Sequence, residues 1–554
     1  MTMNRTLVLL AACLWAGAPC AAAPTFSATG VVNAASFIGG AVAPGEIVTI
    51  HGAELGPANP AGAQFAADNR HVVTVLAGTR VLFDNLAAPL LFVSSAQVNA
   101  VAPLALAGKK STQVRIEYQG VLSAPVAVSV ARTRPGVFAI DGTGQGPGAV
   151  LNWPGYSLNG AGNPAATGSI VIVYATAGGW EAPNAEDGLL ASAAQAFPIP
   201  VAATVGDLPA TVLYAGSAPG LVTGALQVNI RIPDCAPLGD AVPVALSIEG
   251  VRSQPGITIA LRSASPSGGI GLCSPYAAKA NVYRGQMHCH TTNSDGAQDP
   301  ATVVRTYKDA GYDFIAVTDH NRVTADPGVP GILLIPGIEQ APEGKHLNRI
   351  GASGSLSGGV QEVIDRTLAE DGFLFLNHPN WPGGYPANPN WSDADFSNAH
   401  AFYGIEVWNS AVGSNSNAEG RADDLLSQQR RLFLMATDDC HNITSTACKT
   451  GSTWVFADRL EPDEILRNLK SGNFYASNGA RISALSVAGQ TITVTTDQAG
   501  TIDFIGAGGR VLNSASKALS ASYTAMGDET YIRARVTRDS DKKMAWTNPI
   551  YVER

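Results

Sequence analysis

Most histidines of this chain lie in one stretch, where imidazoles and carboxylates are spaced as metal ligands are. Seven of the nine histidines lie between residues 288 and 441. His288 and His290 are two residues apart, so on an extended strand both imidazoles point to the same side. Cys289 points to the other side and is expected to pack rather than bind metal. Asp439 and His441 repeat the same spacing, which strengthens the prediction of a metal site.

Further side chains of ligand type follow short apolar runs, one after another along the chain. The runs are residues 314–317 before His320, 332–335 before Glu339, 373–376 before His378 and 432–435 before Asp439. Asp295 and His346 lie in the segments after His290 and Glu339. Active sites of β/α barrels collect at the carboxyl ends of the strands, so we expect these side chains to meet. Mixed imidazole and carboxylate ligands suit Mn²⁺, Fe²⁺ or Zn²⁺.

Three neighbouring polar residues have other expected roles. His400 fits none of these patterns and is expected to be structural. Asp438 alternates away from Asp439, so we expect it to support a ligand or to cap a turn. Asp319 has two open interpretations, because its carboxylate can orient His320 as a ligand-supporting acceptor or cap the turn that follows.

The elements that must position these groups alternate between strands and helices. Asp299-Pro300 and Gly311 mark the start and end of one helix. Glu461-Pro462 to Gly472 and Val360 to Gly372 show the same pattern. Alternating strands and helices predict a parallel sheet or barrel in this region.

Three segments resemble the PHP (polymerase and histidinol phosphatase) metallohydrolase superfamily and, within it, the CehA/McbA, carbaryl-hydrolase-like branch. They are Tyr283–Gly296, Gly472–Gly479 and Ala545–Ile550. The resemblance implies an α/β domain, a distorted (β/α)₇ PHP barrel over residues 281–480, with two or three divalent metal ions. The ligands that it implies are His288, His290, Asp295, His320, Glu339, His346, His378, Asp439 and His441.

Hydrolysis is the reaction that this resemblance implies. A metal-bound hydroxide would cleave a phosphoester or a carbamate or carboxyl ester, because a metal lowers the pKa of bound water from 15.7 toward about 7. We expect catalytic roles for His346, His378 and Asp439, with either histidine able to assist proton transfer. The CehA/McbA branch favours an ester or carbamate, and the wider superfamily favours a phosphoester.

Charged and aromatic residues near the motifs leave the substrate class open. Phosphoester cleavage requires cationic groups near the metals. The cations that flank the motifs are Arg284, Arg322, Lys345 and Arg349. Each is equally well explained as a solvated surface charge. An ester or carbamate requires an apolar pocket, and the loop from Asn380 to Trp391, with Trp381 and Tyr385, is either its wall or a rigid surface loop.

The front half of the chain contains an internal repeat. Gln97-Val98-Asn99 recurs as Gln227-Val228-Asn229, and the Pro, Gly and Ser that follow recur at the same offset. Short apolar runs separated by Gly, Pro and Asn are typical of β-sandwiches. The segment Pro44–Gly56 resembles the opening of TIG/IPT-type immunoglobulin-like domains. We therefore expect two all-β immunoglobulin-like sandwiches that serve as spacers or contact carbohydrate or protein.

The expected domain organisation follows from these patterns. The sandwiches cover residues 24–140 and 141–262, a linker covers 263–280, the barrel covers 281–480, and a small C-terminal β-sandwich covers 481–554. Residues 1–23 are expected to be a signal peptide, because Arg5 precedes an apolar stretch and small residues follow it. The protein is therefore expected to be exported to the periplasm, the cell surface or the medium of a bacterium.

Composition excludes other classes. The chain has 554 residues, a net charge of −9 and no Lys/Arg-rich tract, so nucleic-acid binding is not expected. Beyond the N-terminus, no apolar run is long enough to span a membrane. Export permits disulfides. Cys235 with Cys273 and Cys440 with Cys448 are possible pairs, which the sequence does not decide.

The resulting hypothesis is an exported, metal-dependent hydrolase of a small-molecule ester or phosphoester. The competing hypothesis is a non-catalytic surface-binding or adhesion protein built on the immunoglobulin-like modules. The complete set of ligand-type side chains argues against that alternative.

Overall fold

A computed structural model describes residues 22–176, 179, 185–264, 270–381 and 391–553. All but the last two residues of the expected signal peptide lie outside this part of the chain, and so does Tyr385 of the aromatic loop. Within the described residues, no helix is long and apolar enough to cross a membrane.

The first part of the chain forms two β-sheets that enclose a shared apolar core. Its strands are β1 Thr25–Asn33, β2 Ala41–Val42, β3 Ile47–Ala53, β4 Ala61–Gly62, β5 Thr79–Phe83, β6 Leu86–Ala87, β7 Leu90–Val93, β8 Gln97–Val101, β9 Ser111–Tyr118, β10 Val121–Leu122 and β11 Val126–Val130. One sheet has the order β1-β3-β8-β7-β4 and the other β2-β11-β9-β5-β6. Val81 and Phe83 of β5, and Val114 and Ile116 of β9, alternate with less buried residues and fill the core.

The second part also forms a β-rich unit with its own core. Its strands are β12 Gly136–Val137, β13 Gly146–Pro147, β14 Val150–Asn152, β15 Ser157–Leu158, β16 Ala165–Ala166, β17 Ile170–Thr176, β18 Val201–Val205, β19 Leu208–Ser217, β20 Ala225–Arg231, β21 Gly239–Ile248, β22 Val251–Arg252 and β23 Ile257–Arg262. The main path of pairing is β13-β23-β21-β18-β19-β20-β17-β14-β15. The first half of β19 pairs with β18, and its second half pairs with β20 after an irregularity between Val212 and Tyr214.

The internal repeat corresponds to one strand pair that occurs in both units. β8 pairs with β3 in the first unit, and β20 pairs with β17 in the second, both antiparallel. The Gln97 side chain donates to the Asn99 side chain at 2.9 Å, and Gln227 donates to Asn229 at 3.0 Å. The assignment of either unit to the immunoglobulin-like class stays a prediction.

The remaining chain carries the helices and the predicted metal ligands. Its strands are β24 Gly271–Cys273, β25 Asn281–Gln286, β26 Phe314–Ile315, β27 Leu333–Leu334, β28 Gly337–Gln340, β29 Leu347–Ile350, β30 Phe373–Leu376, β31 Gly404–Asn409, β32 Phe433–Thr437, β33 Ser452–Ala457, β34 Phe474–Ser477, β35 Ile482–Ala488, β36 Thr491–Gly506, β37 Arg510–Thr524, β38 Tyr531–Arg538, β39 Met544–Thr547 and β40 Ile550–Glu553. The α-helices are α1 Pro300–Asp309, α2 Val360–Ala369, α3 Asp393–Asn398, α4 Glu419–Ser427 and α5 Pro462–Ser471. Short 3₁₀ helices span Leu104–Leu106, Pro342–Gly344, Ser410–Asn415 and Ala507–Gly509.

Helices α1 and α5 begin and end where their sequences predict. The Asp299 side chain accepts from the Thr302 backbone N–H at 3.0 Å and caps α1. Val303 and Tyr307 form the buried side of that helix. Helix α5 ends at Gly472, whose φ of 79° is the left-handed conformation that glycine adopts most readily.

A ring of strands surrounds the predicted ligands. The sheet β28-β29-β30-β31-β32 contacts the pair β25-β26 at both of its edges. At one edge a parallel bridge joins His320 to Glu339, and at the other a parallel bridge joins Cys289 to Cys440. These four residues lie in or just after strands, so the carboxyl ends of several strands converge on one region.

The ring is mixed rather than parallel throughout, which corrects the expectation of a purely parallel sheet. β25-β26, β30-β31 and β31-β32 are parallel, whereas β28-β29 and β29-β30 are antiparallel. A parallel crossover needs a dozen or more residues. The segment from Ala341 to His346 between β28 and β29 is too short for one, so the chain turns back on itself.

The C-terminal segment shares a sheet with the strands of the ring. β36 and β38 belong to the same sheet as β39, β34, β33 and β25, so hydrogen bonding continues across residue 480. The expected linker is also partly structured, because β24 pairs antiparallel with β40. A disulfide joins Cys235 in the second unit to Cys273 in β24. A second disulfide joins Cys440 to Cys448.

Candidate metal centre

His288 and His290 share one face of the extended chain that follows β25. Both side chains are buried, and the backbone N–H of His290 donates to the Cys440 carbonyl at 2.9 Å. The Nε2 atoms of both histidines lie 3.2 Å from the same Asp439 oxygen. Cys289 points the other way and packs as a free thiol in an apolar cluster with Tyr307. The arrangement predicted from the i, i+2 spacing is present.

An inner cluster consists of His288, His290, Glu339 and Asp439. One ligand atom from each residue lies within 4.8 Å of all the others, and all four side chains are buried. Glu339 Oε2 is 3.3 Å from His288 Nε2 and 3.2 Å from His290 Nε2. Two carboxylates facing two imidazoles give the donor set that first-row divalent metals bind.

Unpartnered imidazole nitrogens show that this donor set fits a metal. Nε2 of His288, His290 and His378 is buried and has no hydrogen-bond partner among the described residues. An unpaired buried polar atom is costly, and a metal would satisfy all three with their lone pairs. Asp439 and His378 also have positive φ values of 52° and 30°. Such backbone conformations are unfavourable for these residue types and concentrate at functional sites.

The carboxylates and imidazoles of the inner cluster shift the pKa values of one another. Burial opposes a charge on His288, but the carboxylates of Asp439 and Glu339 outweigh it and raise its pKa well above the ordinary value. Burial would raise the pKa of Glu339, but His288, His290 and His346 hold it well below its usual range. The Glu339 carboxylate therefore stays charged at neutral pH, as a ligand of a cation must.

An outer cluster lies nearer to solvent. It consists of His290, Asp295, His320 and His441. Asp295 Oδ2 lies 3.5 Å from His320 Nε2 and 3.3 Å from His441 Nε2. Those two histidines hold the pKa of Asp295 well below its usual range. Because Asp295 is half exposed, a ligand can reach this side of the centre from solvent.

A third group shares Glu339 with the inner cluster. His320, Glu339 and His346 offer ligand atoms within 4.8 Å of one another. His346 Nδ1 is 2.8 Å from Glu339 Oε1, and His378 Nε2 is 3.6 Å from the same oxygen. Glu339 therefore stands between two sets of imidazoles, as a carboxylate that bridges neighbouring ions would. All nine predicted ligands are brought together, while their individual metal and catalytic roles stay predictions.

Glu406 of β31 supports the centre, although none of the sequence patterns indicated it. Its carboxylate accepts from His288 Nδ1 at 2.7 Å and from the His378 backbone N–H at 2.5 Å. It also accepts from Asn409 at 2.8 Å and Thr437 at 2.5 Å. This places the proton of His288 on Nδ1 and leaves the Nε2 lone pair directed at the cluster. The available signal was a single acidic residue inside the apolar run Gly404–Trp408.

The two neighbouring aspartates cap turns. Asp319 accepts from the Thr291 backbone N–H and hydroxyl and from Ser294, each at 2.7 Å, and from the hydroxyl of Thr324 in the segment that follows it. Asp438 accepts from the backbone N–H groups of Lys449 and Gly451, both at 2.6 Å. Both aspartates therefore fix loops that carry metal-ligand candidates.

His400 lies outside the three groups, where its ring is 3.4 Å from Asp207 of the second unit. This contact agrees with the structural role expected for it.

Three of the four cations that flank the motifs form contacts with residues outside the metal centre. Arg349 is fully buried and paired with Glu370 at 2.7 Å, and Lys345 is paired with Asp395 at 2.7 Å. Arg284 donates to the Tyr312 hydroxyl at 3.1 Å. The guanidinium of Arg322 is exposed beside the loop that carries Asp295, where its Nη1 donates to the Asn293 carbonyl at 3.3 Å.

The aromatic residues of the predicted wall separate in the structure. The ring of Trp381 stands edge-on to His378, with 4.7 Å between centroids, so it borders the centre. Trp391 is 1% exposed and packs with Phe396 in the core, which excludes it from a pocket wall. Its position after a Gly- and Pro-rich stretch concealed that it begins a buried element.

Comparison with known proteins finds solved structures that are similar to part of this chain. No protein-family model matches the chain, and no curated protein matches it. A two-domain protein from Bacteroides vulgatus containing a predicted PHP-like metal-dependent phosphoesterase is 19% identical, with a TM-score of 0.32 over 52% of this chain and 100% of that chain. Endonuclease Q, solved with a 27-mer duplex carrying an abasic lesion, is 14% identical, with a TM-score of 0.27 over 34% of this chain and 57% of that chain. A lesion-specific endonuclease from Pyrococcus furiosus is also 14% identical, with a TM-score of 0.27 over 34% of this chain and 56% of that chain.

These TM-scores are too low to establish a common fold. The expected exclusion of nucleic acid therefore stays a prediction, neither strengthened nor overturned by the endonucleases.

Proposed function

We propose that this protein is a divalent-metal-dependent hydrolase. The observation that carries the proposal is the inner cluster, where the buried Nε2 atoms of His288 and His290 face the carboxylates of Glu339 and Asp439 without a hydrogen bond. His378 Nε2, 3.6 Å from Glu339, is buried and also makes no hydrogen bond. Buried polar atoms that make no hydrogen bond are unfavourable. Metal binding removes that cost.

Different residues would have different roles in such a site. A divalent metal held there would lower the pKa of a bound water and so supply a nucleophile at neutral pH. Glu406 holds the ring of His288, and Glu339 holds that of His346. His346 and His378 lie at the edge of the inner cluster and are 7% and 6% exposed, so each can exchange a proton with a substrate that enters from the solvent side.

The proposed substrate is a small phosphoester or a carboxyl or carbamate ester. Arg322 is the flanking cation whose guanidinium is exposed near the centre, and it suits a phosphate oxygen. Trp381 beside His378 suits an apolar leaving group. Arg322 lies beside the loop of the outer cluster and Trp381 lies beside His378, so we propose that both substrate classes be tested side by side.

We also propose that the protein works outside the cytoplasm. The signal-like N-terminus supports export, and so do the two disulfides, Cys235–Cys273 and Cys440–Cys448, which persist in oxidising compartments.

The test is metal content together with turnover. Elemental analysis of the purified chain, before and after reloading with Mn²⁺, is expected to show two or three tightly held ions. Aryl phosphomonoesters, phosphodiesters, acetates and carbamates would then be screened. His288→Ala is expected to lose bound metal and at least 100-fold in turnover, because it removes a buried ligand of the inner cluster. His400→Ala, which changes a histidine outside the centre, is expected to retain both.

Three outcomes would contradict the proposal. They are a chain without metal under either condition, full turnover by His288→Ala, and turnover that chelation leaves unchanged. With no metal bound, the non-catalytic binding-protein hypothesis would lead.

A further inference from the structure

A second cavity lies between the second unit and the end of the strand ring that is remote from the metal centre. Its volume is about 460 Å³, within the range typical of small-molecule sites. Its walls include Leu208 and Pro209 of β19 and Arg431, Phe433 and Tyr551.

The cavity is separated from the metal centre by the length of β32. Arg431 precedes that strand and Asp439 follows it. An extended chain advances about 3.3 Å per residue, so the strand places the two residues roughly 25 Å apart. The cavity is therefore not part of the metal centre.

The charge of its walls is opposite to that of the whole chain. The protein has a net charge of −9, yet five basic residues and one acidic residue line the cavity. The basic residues are Arg231, Lys279, Arg431, Arg467 and Lys470. An excess of basic groups in a partly enclosed space attracts anions.

Arg431 differs from the other four cations. Arg231 pairs with Asp234, Lys279 with Asp458, Arg467 with Glu464 and Lys470 with Asp371. Among the described residues, Arg431 has no ion-pair or hydrogen-bond partner, and its Nη1 is buried. Its guanidinium lies 4.0 Å from the centre of the Tyr551 ring, which fixes its orientation. Burial lowers the pKa of Arg431, and the Glu553 carboxylate attracts its guanidinium without forming an ion pair with it. The hydrogen-bond donors of Arg431 are therefore left for another anion.

The remaining walls are partly apolar. Tyr403, Phe433 and Pro549 line the cavity together with polar residues such as Asn468 and Asn473. We propose that this cavity binds a small organic carboxylate, with the guanidinium of Arg431 on the carboxylate and the aromatic rings against its apolar body. The proposal is independent of the proposed hydrolase function.

Benzoate is the probe, titrated calorimetrically into the chelator-treated full chain, with benzyl alcohol as its neutral counterpart and inorganic phosphate as a bare anion. Saturable binding of benzoate is expected, with much weaker binding of the other two. Arg431→Gln is expected to weaken benzoate binding roughly tenfold or more, since a charged hydrogen bond is lost. Arg80→Gln, which removes a partly exposed guanidinium of the first unit, is the control and is expected to bind benzoate as the unchanged protein does.

A second variant guards against misfolding of Arg431→Gln. Ser471 is exposed at the rim of the cavity, so Ser471→Trp fills the opening and leaves Arg431 in place. It is expected to abolish benzoate binding and to keep the melting temperature of the unchanged protein. The proposal is overturned by an unchanged chain that does not bind benzoate, by undiminished binding in Ser471→Trp or Arg431→Gln, or by phosphate binding more tightly than benzoate.

Discussion

Glu406 determines which nitrogen of His288 is available to the metal centre. The Glu406 carboxylate accepts four hydrogen bonds, one of them from Thr437 of the neighbouring strand β32. A histidine that donates one ring N–H to a carboxylate keeps its other nitrogen as a stronger ligand. Glu406 therefore acts on a metal through His288 rather than by contact.

The variant Glu406→Gln tests this role. An amide accepts through one oxygen only and brings N–H donors toward groups that already donate, so we expect metal affinity to fall about 10–100-fold. A competition titration with a metal chelator measures the change. Exposed Glu461→Gln is the control and should leave the affinity unchanged. Equal affinities for the two variants would show that Glu406 does not support the centre.

At the residue scale, spacing predicted where the ligands lie but not what supports them. The pair His288 and His290 could be placed on one face from their separation alone. The partner Glu406 lies in β31, 118 residues after His288, and local sequence does not predict pairing between segments so far apart in the chain. Trp391 was misplaced for a related reason, since a buried and an exposed tryptophan have the same local neighbours.

The loop that follows β32 is the element most directly coupled to the outer cluster. It carries His441 and is closed by the Cys440–Cys448 disulfide. Asp438 binds the far side of the same loop through the Lys449 and Gly451 backbone N–H groups. The position of His441 thus depends on a short closed segment rather than on a strand.

Removing that disulfide is expected to loosen the outer cluster. For the double variant Cys440→Ser/Cys448→Ser we expect a loss of stability of about 2–4 kcal/mol and faster release of metal on dialysis. The matched control is Cys235→Ser/Cys273→Ser, which removes the other disulfide and should lower stability without changing metal release. Melting curves and elemental analysis measure the two effects. Identical metal release from both variants would contradict the assignment.

At the element scale, helices were easier to predict than strand directions. Asp299 and Gly472 predict the ends of their helices from local sequence. An N-terminal cap and a left-handed residue affect only the turn of helix next to them. β29 runs antiparallel to β28 because the Ala341–His346 connection between them is short. The sequence contains this short connection, but the alternating pattern of strands and helices predicted parallel strands instead.

The first unit contains a buried carboxylate where its chain leaves for the second. Glu46 is fully buried and accepts from Asn33 at 2.7 Å, and Arg134 lies 3.3 Å away. Burial raises the pKa of Glu46 from 4.5 to about 7, although Arg134 opposes that rise. Stability of the whole molecule therefore depends on pH near neutrality.

The sign of that dependence can be tested. Between pH 4.5 and 7 the folded chain holds a proton that the unfolded chain has released, so stability falls as pH rises through this window, by roughly 3 kcal/mol. Glu46→Gln is neutral throughout and should lack this component. Melting temperatures at pH 5 and pH 8 compare the two proteins, with exposed Glu54→Gln as control. Parallel pH profiles for the unchanged protein and Glu46→Gln would refute the prediction.

At the scale of the molecule, the repeat in the front half was readable because both copies keep Gln, Asn and Pro in register. The continuity of the last sheet across residue 480 could not be predicted, because β39 pairs with β34, which lies far from it in the sequence. The expected domain boundaries stay predictions.

The pairing of β24 with β40 has a mechanical consequence. Gly271 lies opposite Glu553, so tension between the front units and the C-terminal strand pulls both strands from the same end. Such loading opens an antiparallel pair one residue at a time, which requires little force. The opening is stopped at Cys273, opposite Tyr551, because the disulfide to Cys235 carries the load covalently into the second unit.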